Sequence, residues 1–401
     1  MPNFPLFFES TPVLCLLLFW FSITPAYGLA GSQTIRLYLV ELLSRDSRAM
    51  TVPNGDEASG ASTFSKLCAD AGLLKRPEGL KDGDAVDGFT DEATLLRFLQ
   101  ANDMDSTKAL EQLKQATDFR AKNDAFRIYD RISVPDYEDT RALYPHWTGR
   151  CDREGRPILM MDVSALGKEG MGEWRKTKQI PQATLSGPDA DPEISPNMPQ
   201  RALAHFDYFT RFVLPLCSAV QGKPVTSCAY VVDAGPLYMK QAWELREFAN
   251  DISWILATCF PETIYRIYCC NVPGFLARCW AFLKSFVNPV TASKIQFLTK
   301  DNAYDTLRET IEHDNIPTSI GGGFQFETGM LPDLDDQIRR ALEWSGSHVD
   351  LPPGPIKWIQ TAGGDRKAIA TGTDAEQRAV EVATLRAPSS EKYPEDRIVE
   401  E

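Results

Sequence analysis

The chain is poor in the residues and motifs that most enzymes use. Its 401 residues hold four histidines, His146, His205, His313 and His348, and no two stand at metal-ligand spacing. There is no Gly-rich loop ending in Gly-Lys-Ser/Thr, no Gly-x-Gly-x-x-Gly, no Gly-x-Ser-x-Gly elbow and no His-Glu-x-x-His. Phosphate cradles, serine-hydrolase elbows and zinc-protease helices depend on those spacings. Cys259 and Arg266 lie one residue too far apart for the Cys-x5-Arg cradle of a thiol phosphatase. The histidines are therefore read as surface or capping residues, and the chain as a binding protein, not an enzyme. Neither a cofactor nor a metal is expected.

Positive charge is also scarce. Lys and Arg number 42 against 55 Asp and Glu, a formal net charge of −13. A nucleic-acid binder would carry a basic surface, so nucleic acid is not expected as a partner. A membrane surface remains compatible, because a local basic patch can coexist with a negative total. The nine cysteines contain no Cys-x-x-Cys, and Cys269-Cys270 sits inside an apolar run. That is the pattern of reduced, buried thiols and points to the cytosol rather than to a disulfide-stapled secreted domain. One segment points the other way. Residues 13–23 (VLCLLLFWFSI) are uncharged and apolar, followed by Ala26-Tyr27-Gly28. The run is too short to span a bilayer, which takes roughly 20 residues, but it suits a signal-peptide core. No Lys or Arg precedes it. Residues 1–30 are read as an apolar leader, with membrane anchoring or entry to the secretory pathway as the alternative.

What is present is a change of period along the chain. Residues 31–89 are polar and turn-rich and are expected to be a mostly irregular linker, with a short helix at 63–74. Thr90-Asp91-Glu92 offers a cap and an acidic first turn before Leu95, Leu96, Phe98 and Leu99, and a second helix is expected over 106–120. These form a helical unit over 90–145. Short continuous apolar runs follow at 157–163, 228–233, 264–272 and 294–298, with helical segments at 201–220, 241–258 and 274–287 between them. Strands of this kind alternating with helices predict an α/β fold with a mostly parallel sheet. The Gly-, Pro- and charge-rich stretch 164–200 reads as a loop insertion. Residues 327–401 read as an acidic, largely disordered tail, with one helix near 334–344.

Several short segments then occur in a telling order. They are Leu95-Leu96-Arg97-Phe98-Leu99, Asp152-Arg153-Glu154-Gly155-Arg156-Pro157, and Tyr230-Val231-Val232-Asp233-Ala234-Gly235. After these come Phe260-Pro261-Glu262, Asn271-Val272-Pro273 with Phe275, Asn288-Pro289-Val290-Thr291-Ala292-Ser293-Lys294-Ile295, and Ile316-Pro317 with Gly321-Gly322. Together they resemble the CRAL-TRIO family, and within it the phosphatidylinositol transfer proteins, over roughly residues 90–326. The resemblance implies a sheet flooring an apolar lipid cavity within 146–326, closed by a lid helix. Here the lid is residues 274–287, with Leu276, Cys279, Trp280, Leu283 and Val287 on one stripe and Phe275, Phe282 and Phe286 widening it.

It also implies a headgroup site at two positions, occupied here by Glu262 and Lys294, with Lys294 meeting the phosphate and Glu262 supporting it. The expected ligand is one phosphatidylinositol-class lipid, carried between or presented at membranes by a cytoplasmic, membrane-peripheral protein. A sterol, tocopherol or retinoid carrier, or a scaffold with a vestigial pocket, are the alternatives. Two departures from the family disfavour phosphatidylcholine. Phe260 replaces a tyrosine and loses its hydroxyl, and Tyr230 stands where smaller hydroxyl residues help to hold choline.

Overall fold

The computed structural model describes residues 56–183, 194–235, 241, 244–283 and 293–386. The leader at 13–23, part of the 164–200 stretch and the end of the tail lie outside them. Helix α1 (Asp56–Asp70) occupies ground read as mostly irregular linker, and it overlaps the short helix expected at 63–74. It buries Phe64 and Cys68. Helices α2 (Glu92–Gln100) and α3 (Ser106–Lys122) follow, each capped by an aspartate: Asp91 accepts from the Thr94 amide, and Asp105 from those of Thr107 and Lys108. Such caps satisfy donors that the first helical turn leaves free. Helices α4 (Ala125–Arg131) and α5 (Val134–Leu143) complete the unit.

The central sheet has five strands in the order β1-β2-β3-β4-β5: His146–Cys151, Pro157–Asp162, Cys228–Asp233, Ile264–Cys270 and Ile295–Phe297. β1 pairs antiparallel with β2, and the other neighbours are parallel. Both faces are covered, which is why the strands read as continuous apolar runs. Leu159, Met161, Cys228, Tyr230 and Cys269 join the main core. Ile158, Met160, Val231, Tyr268 and Cys270 face a second cluster with Leu307, Ile311 and Ile316 from the segment containing α11. The helices on the main-core side are α6 (Lys168–Gln179), α7 (Met198–Tyr208), α8 (Leu214–Gln221) and α9 (Arg246–Cys259). α10 (Gly274–Leu283) links β4 to the β5 side of the sheet, and α11 (Ala303–Arg308) follows β5. Helix α6 falls in the stretch read as a loop, where Met171 and Trp174 anchor it. Two apolar residues in twelve are a weak signal beside so much charge.

The stretch from residue 327 corrects the expectation of a largely disordered tail. After α12 (Asp336–Ala341), strands β6 (Glu343–Trp344), β7 (Ile356–Gln360), β8 (Arg366–Ala370) and β11 (Val380–Leu385) form an antiparallel sheet ordered β6-β11-β8-β7. A small hairpin, β9 (Thr373–Asp374) with β10 (Glu376–Gln377), lies between the last two. The sheet docks on residues of both units: Trp358 stacks on Phe212, in the segment between α7 and α8, at 4.9 Å and donates to its carbonyl, while Tyr129 of the helical unit donates to the Ile356 carbonyl. Small alanines at 368, 370 and 383 are fully buried in it. Low hydrophobicity here reflects tight packing and not disorder.

Close backbone approach fixes one strand. Gly149 in β1 has φ of +87°, and an added Cβ would lie 2.4 Å from the Asp333 carbonyl oxygen. The chain cannot retreat there, because Asp333 and Asp335 donate to the Thr148 and Gly149 carbonyls. Gly149→Ala is expected to cost about 2–4 kcal/mol, combining left-handed strain with overpacking. A lower urea midpoint with an unchanged m value would register it; an unshifted midpoint would contradict this account of β1.

Candidate functional site

The two headgroup candidates come together. The chain leaves α9 through Phe260 and Pro261 and enters β4 at Ile264. Parallel pairing sets Ile267 opposite Ile295, and the Ile267 amide donates to the Lys294 carbonyl at 2.7 Å. Lys294 is thereby brought beside the turn, and its Nζ donates to Glu262 Oε2 at 2.7 Å. Both side chains are about a quarter exposed, at 25% and 28%, so an incoming anionic group can reach them. Glu262 has φ of +55°, a left-handed conformation that costs a non-glycine residue roughly 1–2 kcal/mol. The turn is held rigid: Thr263 Oγ1 donates to the Phe260 carbonyl, and the Cys228 amide to the Thr263 carbonyl. Asp103, Met104, Asp124, Asn271 and Ala375 share this left-handed conformation, so what distinguishes Glu262 is its ion pair with Lys294.

Behind this turn lies an apolar crevice of about 10 Å³ between sheet and helices. Cys228 and Tyr230 form its floor, and Phe206, Phe209, Leu256 and Phe260 its walls. Aromatic contacts fill the space beyond, with Tyr144 stacked on Phe248 at 5.5 Å and Phe206 at 5.8 Å from Phe260. Tyr230 is buried, and burial raises its phenol well above the ordinary value. The wall residue Phe209 begins a five-residue π-helical turn, Phe209–Val213, between α7 and α8. Such turns occur mostly as single-turn bulges inside α-helices and are frequent at functional sites. Sequence periodicity reads the whole of 201–220 as one helix, so the turn and the roles of Phe206 and Phe209 escape it.

Of the lid candidates, Leu276 and Trp280 are buried one helical turn apart on α10, and the Trp280 ring lies 5.2 Å from Phe297 of β5. Phe275 and Leu283 lie in the helix, but their side chains fall outside the described residues, as do Phe286 and Val287 altogether. Two of the eight lid residues, Leu276 and Trp280, are thus buried, and the side chains of Cys279 and Phe282 also fall outside the described residues.

This architecture has a family. The CRAL/TRIO domain family matches residues 143–322. Those residues are a CRAL/TRIO domain. The "SEC14 cytosolic factor" of Yarrowia lipolytica is 26% identical over 241 residues, covering 60% of this chain and 45% of that protein. The protein of the same name from Candida glabrata is 22% identical over 254 residues, 63% of this chain and 78% of its own. The "Phosphatidylinositol/phosphatidylcholine transfer protein SFH11" of Arabidopsis thaliana is 26% identical over 244 residues, 61% of this chain and 60% of its own. The chain therefore spans under half of the Yarrowia relative and under two thirds of the Arabidopsis one. Among solved structures, that of Sfh5 matches at 13% identity with a TM-score of 0.44, covering 63% of this chain and 83% of that one.

Within residues 143–322 several titratable side chains are buried. Two histidines are buried, contrary to the surface or capping reading. His146 is held near pKa 4 and His205 near 3, both by burial. Both are neutral at physiological pH. His146 Nε2 accepts from the Gly329 amide and His205 Nε2 bonds the Pro145 carbonyl, so they act as bridges between chain segments. The thiols are buried too, pushed up to about 12 at Cys259 and Cys269, which keeps them protonated and poorly nucleophilic. Among the described residues, no three His, Cys, Asp or Glu side chains are placed to hold a metal, and no helix is long and apolar enough to cross a membrane.

Proposed function

We propose that the chain binds one phosphatidylinositol-class lipid and transfers it between membranes or presents it at a membrane surface. The acyl tails lie between the sheet and α7–α9, where the crevice of about 10 Å³ must widen to admit them, and the phosphoinositol headgroup sits at Glu262 and Lys294. The observation that carries this reading is the accessible Lys294–Glu262 pair on a strained, rigidly held turn. Lys294 supplies the cation that a buried phosphate requires, and Glu262 orients it and accepts from headgroup hydroxyls. Each methylene that leaves water for the crevice contributes about 0.8 kcal/mol, so the tails hold the lipid and the ion pair selects its head. The names of the relatives support lipid transfer, and a cytoplasmic, membrane-peripheral protein follows from the same reading. Phe260, without a hydroxyl, and the bulk of Tyr230 leave phosphatidylcholine the weaker ligand.

The narrowness of the crevice supports a second reading, a scaffold whose pocket no longer takes lipid. Extraction of radiolabelled phosphatidylinositol from vesicles separates the two, since the scaffold extracts none while folded. Glu262→Gly sharpens the test. Relief of about 1 kcal/mol of left-handed strain offsets an exposed ion pair worth about 0–1 kcal/mol, so the unfolding midpoint should hold or rise slightly. Extraction should nevertheless fall. A parallel loss of stability and extraction would make Glu262 a structural residue instead.

A further inference from the structure

A second cavity, of about 220 Å³, lies on the far side of Arg120 from the crevice, between residues 72–90 and helices α2 and α3. Leu73, Phe89, Phe98, Leu113 and Phe126 make its walls apolar, and Lys75, Arg76 and Arg120 also line it. Arg120 separates the two spaces. Its guanidinium lies over the Phe89 ring at 4.9 Å and over the Phe260 ring at 4.6 Å. Phe89 faces the cavity and Phe260 the crevice.

Hydrogen bonding around this cavity is incomplete among the described residues. Arg97, Arg120 and Arg211 are all buried, at 5%, 5% and 3% exposure. Arg120 Nη1 donates to Asp207 Oδ1 at 2.5 Å, but its Nη2 is buried without a partner, as are Asp207 Oδ2 and Arg211 Nη1. Arg211 lies over the Phe89 ring at 5.2 Å and the Tyr129 ring at 4.3 Å, so Phe89 stands between two guanidiniums. Arg97 donates to the Thr94 hydroxyl; burial lowers its pKa, the Asp91 carboxylate opposes that, and Arg120 adds a weaker repulsion. The other carboxylates nearby are committed. Asp91 caps α2, Asp87 pairs with Arg366, and Asp130 and Asp84 hold Lys357. Buried charge is stable only when paired and hydrogen-bonded, and ring faces neutralise none of it. Cations and carboxylates are equal in number here, so what marks the cavity is Arg120, a buried guanidinium with an unpartnered Nη2, which lines the apolar hollow together with Lys75 and Arg76.

We propose that this cavity binds a small amphipathic anion, one carboxylate or phosphate group on a short apolar body. Guanidinium forks suit either group. The volume is below the range of about 300–1,000 Å³ usual for small-molecule pockets, which favours a single short chain or ring over a diacyl lipid. The site is separate from the phosphatidylinositol reading and does not depend on it.

Titration calorimetry of the full chain with octanoate and, separately, octyl phosphate tests the proposal, with octanol as the uncharged control. At least one anion should bind, and octanol about tenfold more weakly or not at all. Whichever anion binds more tightly identifies the headgroup class. Ala116→Leu, which narrows the cavity one helical turn before Arg120, should weaken the anion by about tenfold and leave phosphatidylinositol extraction unchanged. Should that variant unfold at a lower temperature, Lys75→Ala on an exposed side chain replaces it, with anion binding about threefold weaker and octanol unaffected. No binding by either anion, equal binding of octanol, or anion affinity unmoved by a folded variant would each overturn the site. Loss of phosphatidylinositol extraction in folded Ala116→Leu would also overturn it, by making the cavity part of the lipid crevice.

Discussion

Lys294→Ala is expected to reduce phosphatidylinositol transfer between vesicles by about 10- to 100-fold while leaving the fold intact. The size follows from the chemistry at the turn. A hydrogen bond to a charged group contributes about 1.5–3 kcal/mol, and each 1.4 kcal/mol is about a factor of ten in affinity. The fold loses little, because a pair a quarter exposed on each side is a partly solvated salt bridge worth about 0–1 kcal/mol. Strand pairing at this point runs through the Lys294 carbonyl, which alanine retains. Transfer of labelled lipid and the thermal midpoint, measured on the same preparation, separate the two effects. Wild-type transfer by the variant would remove Lys294 from the headgroup site. Lys294→Arg is the informative companion: it keeps the charge but replaces a compact ammonium with a wide planar fork, so partial recovery is expected.

How much of this was legible in the sequence depended on how local the signal was. The parallel sheet was readable because β2, β3 and β4 are buried on both faces and therefore run apolar without a break. The pairing of Glu262 with Lys294 came from the family resemblance, since nothing in the intervening sequence announces that β4 and β5 are neighbours. Other features depend on contacts that no local pattern encodes. β1, His-Trp-Thr-Gly-Arg-Cys, has one large apolar residue and is an edge strand by virtue of its pairing with β2. The left-handed backbone of Glu262 carries no glycine to signal it. The π-helical turn at Phe209–Val213 keeps a helical apolar pattern on either side and hides within it. The C-terminal sheet was misjudged because mean polarity was taken for disorder, when Ile356 is bonded to Tyr129 of the helical unit, Trp358 packs on Phe212 and the alanines of the sheet are buried. Polarity averaged over a window cannot distinguish a solvated strand face from an unfolded chain.

The same sheet carries the largest expected effect on stability. Lys357 on β7 is 3% exposed and donates to Asp84 and Asp130 at 2.8 Å each; Thr371 adds a hydrogen bond to Asp130. Asp84 precedes α2 and Asp130 ends α4, so one ammonium joins the C-terminal sheet to the helical unit at two points. Lys357→Met keeps the side chain's length but leaves two carboxylates buried without their cation. Removing one partner of a buried pair costs about 3–5 kcal/mol, a large part of the roughly 5–15 kcal/mol that holds a protein folded. Lys81 also reaches Asp130, at 3.2 Å, but its side chain is 53% exposed, and Lys81→Ala should cost only about 0–1 kcal/mol.

The pH dependence should distinguish this account from a simple packing defect. In the native protein, burial would raise the Asp130 pKa, but Lys357, Lys81 and Arg211 outweigh it and hold the group below its ordinary value. A depressed carboxylate stabilises the fold above its unfolded pKa of about 3.9, and that contribution disappears as pH falls through the lower folded value. In Lys357→Met the main cation is gone and burial dominates, so the folded pKa moves above the unfolded one and the sign reverses. The variant's carboxylates then favour folding at low pH and oppose it as pH rises through their raised pKa. The stability gap between wild type and variant should therefore be widest at pH 7 and narrow toward pH 5, as read from urea midpoints at the two values. A gap independent of pH would mean that Lys357 acts through its hydrocarbon stem, and that its charge does not join the sheet to the helices.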